Sequence, residues 1–197
     1  MYKIAICGKK NTGKNTISRT IIKQLRSQKG RYMTAKQLAF ADPIKEMIRQ
    51  MFPTLPKKYL YGSSNFRDEN IPGAFKDGQP LTIRQLLTDL GTEMGRKYNP
   101  TVWLDNFDYR FEQFKYRTII IVPDVRFRNE FEHLRSKGFF QIRLYRNTNK
   151  PGIAHISETN QDTISVEEFD YVIHNNYSLN DLRTEVAYQV IPRLHNQ

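Results

Sequence analysis

The residues best suited to chemistry lie near the start of the chain, in Gly8-Lys9-Lys10-Asn11-Thr12-Gly13-Lys14, followed by Asn15 and Thr16. The spacing G-x-x-x-x-G-K is that of a phosphate-binding loop. Its glycines let successive backbone N–H groups curl around a phosphate, a following helix adds its positive end, and the lysine reaches the outer phosphates. Where a Ser or Thr normally ligates magnesium, this chain has Asn15, with Thr16 next. A second group follows the run Thr-Ile-Ile-Ile-Val: Pro123-Asp124-Val125-Arg126-Phe127-Arg128. In open parallel sheets ligands bind at the carboxyl ends of strands. An acid followed by two arginines at such a point is placed to meet phosphates and their magnesium.

The elements that must position these residues are readable from periodicity. A short apolar strand over residues 2–7 precedes the loop, and a helix from Lys14 to about residue 29 follows it. A strand is expected over 35–41. Asp42-Pro43 then starts a helix, with Asp42 as its N-cap and Ile44, Met47, Ile48 and Met51 on its core face. From 53 to 80 prolines and glycines break the pattern, and this stretch reads as an irregular insertion beside a pocket. Residues 81–97 form a helix capped by Thr82. Gly91 and Gly95 interrupt it at about 1 kcal/mol each relative to alanine, which points to something approaching the backbone there, although a helix end at Gly95 would explain one of them. A helix over 101–116 carries Trp103, Phe107 and Phe111 inward. Residues 118–122 are the clearest buried strand. A helix over 129–137, strands over 139–145 and 171–174, and a closing helix over 179–194 complete the chain. The order predicts a parallel sheet of five strands with helices on both faces, in one domain spanning residues 1–197.

The chain has 197 residues and a net charge of +11. No apolar run approaches the roughly 20 residues needed to span a bilayer, and the start lacks the pattern of a secretory signal. The single cysteine, Cys7, excludes an intramolecular disulfide and any cysteine-cluster metal site. It reads as a buried thiol, and a reducing cytoplasm is the expected compartment. The positive charges are dispersed, at Lys9, Lys10, Lys57, Lys58, Arg126, Arg128, Arg143 and Arg146. That pattern favours steering of small polyanions over a nucleic-acid surface.

With Gly8 to Thr16, Asp42-Pro43-Ile44-Lys45, Leu90-Gly91-Thr92-Glu93 followed by Trp103, and Asp124-Val125-Arg126 in place, the chain resembles the phage-type deoxynucleoside monophosphate kinases. His155-Ile156-Ser157-Glu158 and the segment 170–175 add to that resemblance. It implies a three-layer P-loop kinase fold with a lid loop at 146–165, and transfer of the γ-phosphoryl of ATP to a deoxynucleoside 5′-monophosphate with Mg2+. The loop from Gly8 to Thr16 would hold ATP, and Lys14, Arg126 and Arg146 would act on the moving phosphoryl. Lys45, Arg84, Arg96, Trp103, Asp124 and Arg128 would serve the acceptor, and Asn15 and Asp124 the magnesium. His155 reads as a lid-anchoring group. A homodimer, and a host cytoplasm if the gene is a phage's, are family expectations. Two other readings stay open: a dephospho-coenzyme A kinase, which shares the fold, and a nucleotide-dependent nucleic-acid-binding protein.

Overall fold

The computed structural model describes residues 1–27, 34–114, 117–147 and 160–196. They form two compact units, residues 1–39 with 110–197, and residues 40–109. With strands and helices numbered along the chain, the first unit is built on β1 (Tyr2–Cys7), β2 (Thr34–Gln37), β5 (Thr118–Val125), β6 (Phe140–Tyr145) and β7 (Tyr171–His174). All pairings are parallel, in the order β2-β5-β1-β6-β7.

Side-chain alternation divides the sheet into two covered faces. Ile4 and Ile6, Ile119 and Ile121, and Ile142 and Leu144 point to one face. There they share a core with Ile17, Ile21 and Leu25 of α1 (Lys14–Ser27) and with Leu182, Val186, Val190 and Leu194 of the C-terminal helix. That helix runs as α7 (Leu179–Glu185), a π-helical stretch (Val186–Val190) and α8 (Ile191–His195). The intervening strand residues point the other way, where Phe131 and Leu134 of α6 (Arg128–Ser136) are buried and the Gln141 side chain donates to the Phe131 carbonyl. Three layers result, as the sequence predicts.

At the end of β5 the ladder slips. Ala5 pairs with Val122, but Cys7 pairs with Val125, so β5 holds one extra residue across that interval. Pro123 lies there and has no N–H to give to a ladder. Bulges of this kind re-aim neighbouring side chains, and Asp124 sits in this one.

In the second unit, α2 (Asp42–Met51) buries Ile44 and Ile48, whereas Met47 and Met51 are 41% and 54% exposed. The predicted four-residue core face is therefore narrower than expected. Its N-cap is Ala41, and Asp42 lies inside the first turn, where its charge still favours the helix start. The stretch 53–80, expected to be irregular, is ordered: α3 (Lys58–Tyr61), a 3₁₀ turn (Ser64–Asp68), and a hairpin of β3 (Asn70–Lys76) with β4 (Gln79–Thr82). The hairpin turns on Asp77 and Gly78, with φ of 51° and 75°. Asp-Gly is the pair that a two-residue turn with positive φ at both positions favours.

Thr82 caps α4 (Ile83–Thr88) in a capping box with Gln85, as expected. The helix continues as a π-helical segment, Asp89–Arg96, and α5 (Val102–Phe111) follows. At Gly91 the side-chain space is taken by Ile44, whose Cδ1 would lie 2.9 Å from an added Cβ; at Gly95 it is taken by the ring of Trp103. The indole N–H of Trp103 donates to the Gly91 carbonyl at 2.7 Å.

Candidate active site

The loop between β1 and α1 is closed by its own residues. Both the N–H and the hydroxyl of Thr12 donate to the Lys9 carbonyl, at 3.4 and 2.8 Å. Asn11 takes the left-handed conformation this turn needs, with φ 64°. Gly8 packs so closely that a Cβ there would lie 2.8 Å from the Leu144 carbonyl oxygen. Gly13, at φ 102°, leads into α1, where its carbonyl accepts from Thr16 and Ile17. The Lys14 ammonium donates to the Gly8 and Lys9 carbonyls at 2.5 and 2.7 Å, which keeps it at the loop. Lys10 is half-buried, while Asn15 and Thr16 lie exposed on the first turn of α1.

A buried cation supports this arrangement. Arg143 of β6 is 2% exposed, and its guanidinium donates to the Cys7 sulfur, the Gln161 carbonyl and the Asp162 carboxylate at 3.0, 3.0 and 3.1 Å. The other oxygen of Asp162 pairs with Lys9 at 2.7 Å. Burial pushes the Cys7 thiol above its ordinary pKa, against the opposing pull of Arg143. Arg143 is thus no part of a dispersed surface charge, and Cys7 is the buried thiol the sequence predicts. Neither Asp162 nor Arg143 is conspicuous in the sequence, because only the fold brings residues 7, 9, 143 and 162 together.

At the end of β5, Asp124 is half-buried; Arg126 precedes Phe127, the N-cap of α6, and Arg128 opens the helix. The buried Glu130 carboxylate accepts from the backbone N–H of Arg126 and Phe127 at 2.7 and 3.1 Å, satisfying donors at the helix start. Arg128 is held by carboxylates. Its two terminal nitrogens fork onto Glu168 at 2.7 Å each, and Nε donates to Glu132 at 2.6 Å. An arginine so engaged serves as a strut, and contact with an acceptor phosphate would require it to leave these partners. Arg146 follows β6 and is exposed. His155 and most of the expected lid lie outside the described residues.

In the second unit, Lys45 pairs with Asp42 at 3.0 Å and lies over the Tyr61 ring, 5.4 Å from its centroid. Arg84 is bound to Asp68 at 2.5 Å and to the Ser64 carbonyl at 3.0 Å. Arg96 ends the π-helical segment, half-buried. Trp103 is 6% exposed, so stacking on a base would need its ring uncovered.

Among the described residues no group of three or more His, Cys, Asp or Glu side chains converges as a metal cage. Magnesium carried on nucleotide phosphates needs only one or two protein oxygens. The Asp124 carboxylate and the Asn15 amide oxygen are of that donor type. No described helix is long and apolar enough to cross a membrane.

A parallel five-stranded sheet covered on both faces, with a G-x-x-x-x-G-K loop leading from its central strand into a helix, is the architecture of a P-loop kinase. Residues 63–186 match the family model described as deoxynucleotide monophosphate kinase. The chain belongs to that family, and it is a kinase. The matched stretch begins beyond the phosphate loop, so loop and family match are separate signals that agree. A protein of Acanthamoeba polyphaga mimivirus described as "Putative deoxynucleotide monophosphate kinase" is 25% identical over 202 aligned residues, covering 94% of each chain.

Proposed function

We propose that the chain transfers the γ-phosphoryl of ATP to a deoxynucleoside 5′-monophosphate, giving ADP and the deoxynucleoside diphosphate. The observation that carries this is the closed loop from Gly8 to Lys14 at the head of α1, within a family whose members act on deoxynucleotide monophosphates. Phosphoryl transfer asks a protein mainly for positioning and charge neutralisation. Loop N–H groups and Lys14 bind the β- and γ-phosphates. Asp124 and Asn15 hold magnesium, which supplies positive charge beside those phosphates. Arg126 and Arg146 neutralise the moving group, while Arg128, through Glu168 and Glu132, holds the start of α6. Lys45, Arg84 and Arg96 bind the acceptor, and Trp103 shapes the segment that carries Arg96. No general base is needed, because the attacking phosphate oxygen is already ionised.

An acceptor screen tests this. Purified protein with MgATP is offered each deoxynucleoside and ribonucleoside monophosphate, and separately dephospho-coenzyme A. ADP formation dependent on a deoxynucleoside monophosphate is expected. Turnover of dephospho-coenzyme A alone would establish the rival kinase. ATP hydrolysis stimulated by DNA, with DNA affinity falling steeply in salt, would establish a nucleic-acid-dependent protein.

A further inference from the structure

Asn175, the first residue past β7, touches the phosphate loop from outside. Its backbone N–H donates to the Tyr145 carbonyl at 2.8 Å, which fixes its position beside the end of β6. Its side-chain amide donates to the Thr12 carbonyl at 2.8 Å. The direction of that bond is chemically forced. A carbonyl has no proton to give, so the amide nitrogen and not its oxygen must face Thr12.

The consequence follows from peptide geometry. In a trans peptide unit the C=O and the N–H point to opposite sides, and none of the described peptide bonds is cis. Pinning the Thr12 carbonyl toward Asn175 therefore turns the Gly13 N–H away from Asn175. Gly13 is suited to this in two respects. Its φ of 102° disfavours any side chain, and a Cβ there would lie 2.5 Å from the Asn175 amide nitrogen.

We infer that Asn175 is a positioning residue, which fixes the Thr12–Gly13 peptide so that the Gly13 N–H is presented to the phosphates of ATP. The inference rests on the reading of this loop as the ATP site. Without the amide, the peptide is free to rotate and offer a carbonyl oxygen where a phosphate needs a donor. The effect belongs to the triphosphate and not to the acceptor, because among the described residues Asn175 donates to carbonyls of the loop and of β6.

The test is calorimetric titration of the full-length protein with MgATP and with magnesium tripolyphosphate, alongside KM for ATP and for the acceptor. Wild type is compared with Asn175→Ala and with Asn175→Asp, which keeps the size and backbone bond but loses the donor. Losing a net hydrogen bond to the loop should weaken both ligands about tenfold in Asn175→Ala, and by more in Asn175→Asp, whose carboxylate adds a negative charge beside the phosphates, while acceptor KM should stay within about twofold. An equal loss for tripolyphosphate places the effect at the phosphates. Wild type that binds neither ligand would overturn the ATP-site reading itself. Wild type that binds, with Asn175→Ala binding equally well, would overturn the role of Asn175 and leave the ATP site standing, whatever the charge of Asn175→Asp does. An equal rise in both KM values with a lowered Tm marks a packing role and also overturns it.

Discussion

The indole N–H of Trp103 donates to the carbonyl of Gly91 at 2.7 Å, and the same ring fills the side-chain space at Gly95. The ring accounts for Gly95, whereas at Gly91 the space is taken by Ile44, whose Cδ1 would lie 2.9 Å from an added Cβ. The wide π-helical turn between Asp89 and Arg96 is the backbone conformation that meets the ring. Gly95→Ala should lower stability by about 1–3 kcal/mol through overpacking. Trp103→Phe should lower it by a similar ~1–3 kcal/mol, through a buried carbonyl left without its donor. Urea denaturation measures both, and the fluorescence of Trp103, the sole tryptophan, follows the first. A Gly95→Ala protein as stable as wild type would mean that the ring is not held there.

Asp162 serves two cations of very different exposure. Its partner Arg143 has a side chain only 2% exposed, whereas Lys9 is 51% exposed. Half-exposed ion pairs contribute little, so Lys9→Ala should cost no more than about 1 kcal/mol. Asp162→Asn leaves the buried guanidinium without its carboxylate and should cost more, about 1–3 kcal/mol after screening by solvent at Asp162. Denaturant titration of the two variants checks the order, and the reverse order would show that the exposed pair dominates.

Arg128 beside Glu168 holds that carboxyl below its ordinary pKa. A carboxylate whose folded pKa is depressed stabilises the fold above its unfolded pKa, about 4.3, and loses that contribution as pH falls through the folded value. Glu168→Gln should therefore lower Tm near neutrality, with the gap from wild type closing in acid below the ordinary glutamate range. Tm measured against pH decides this; parallel curves for the two proteins would sink it.

The Lys14 ammonium is held at the loop by the Gly8 and Lys9 carbonyls, and its charge is the one best placed for the outer phosphates. Lys14→Ala should cut kcat at least ~100-fold, the scale on which single electrostatic contacts to a transition state act. Circular dichroism and Tm should match wild type. Retained turnover would refute its assignment.

Much of the fold was legible in the residues, because local physics decides it. The strand Tyr2–Cys7, the helix start at Lys14, the cap at Thr82 and the strand Tyr171–His174 lie where apolar pattern and capping chemistry place them. The hairpin was not legible: the residues flanking Asp77 and Gly78 lack the alternation that marks strands, so the stretch reads as irregular. The phosphate loop is a local motif and announces itself in nine residues, Gly8 to Thr16. Its supports are not local. Asn175 reaches Thr12 across 163 positions of sequence, and Arg143 reaches Cys7 across 136. Periodicity carries no information about such pairs. Parallel strand order brings the ends of β1, β6 and β7 side by side, and only that adjacency tells an asparagine that orients a peptide from one in an ordinary loop.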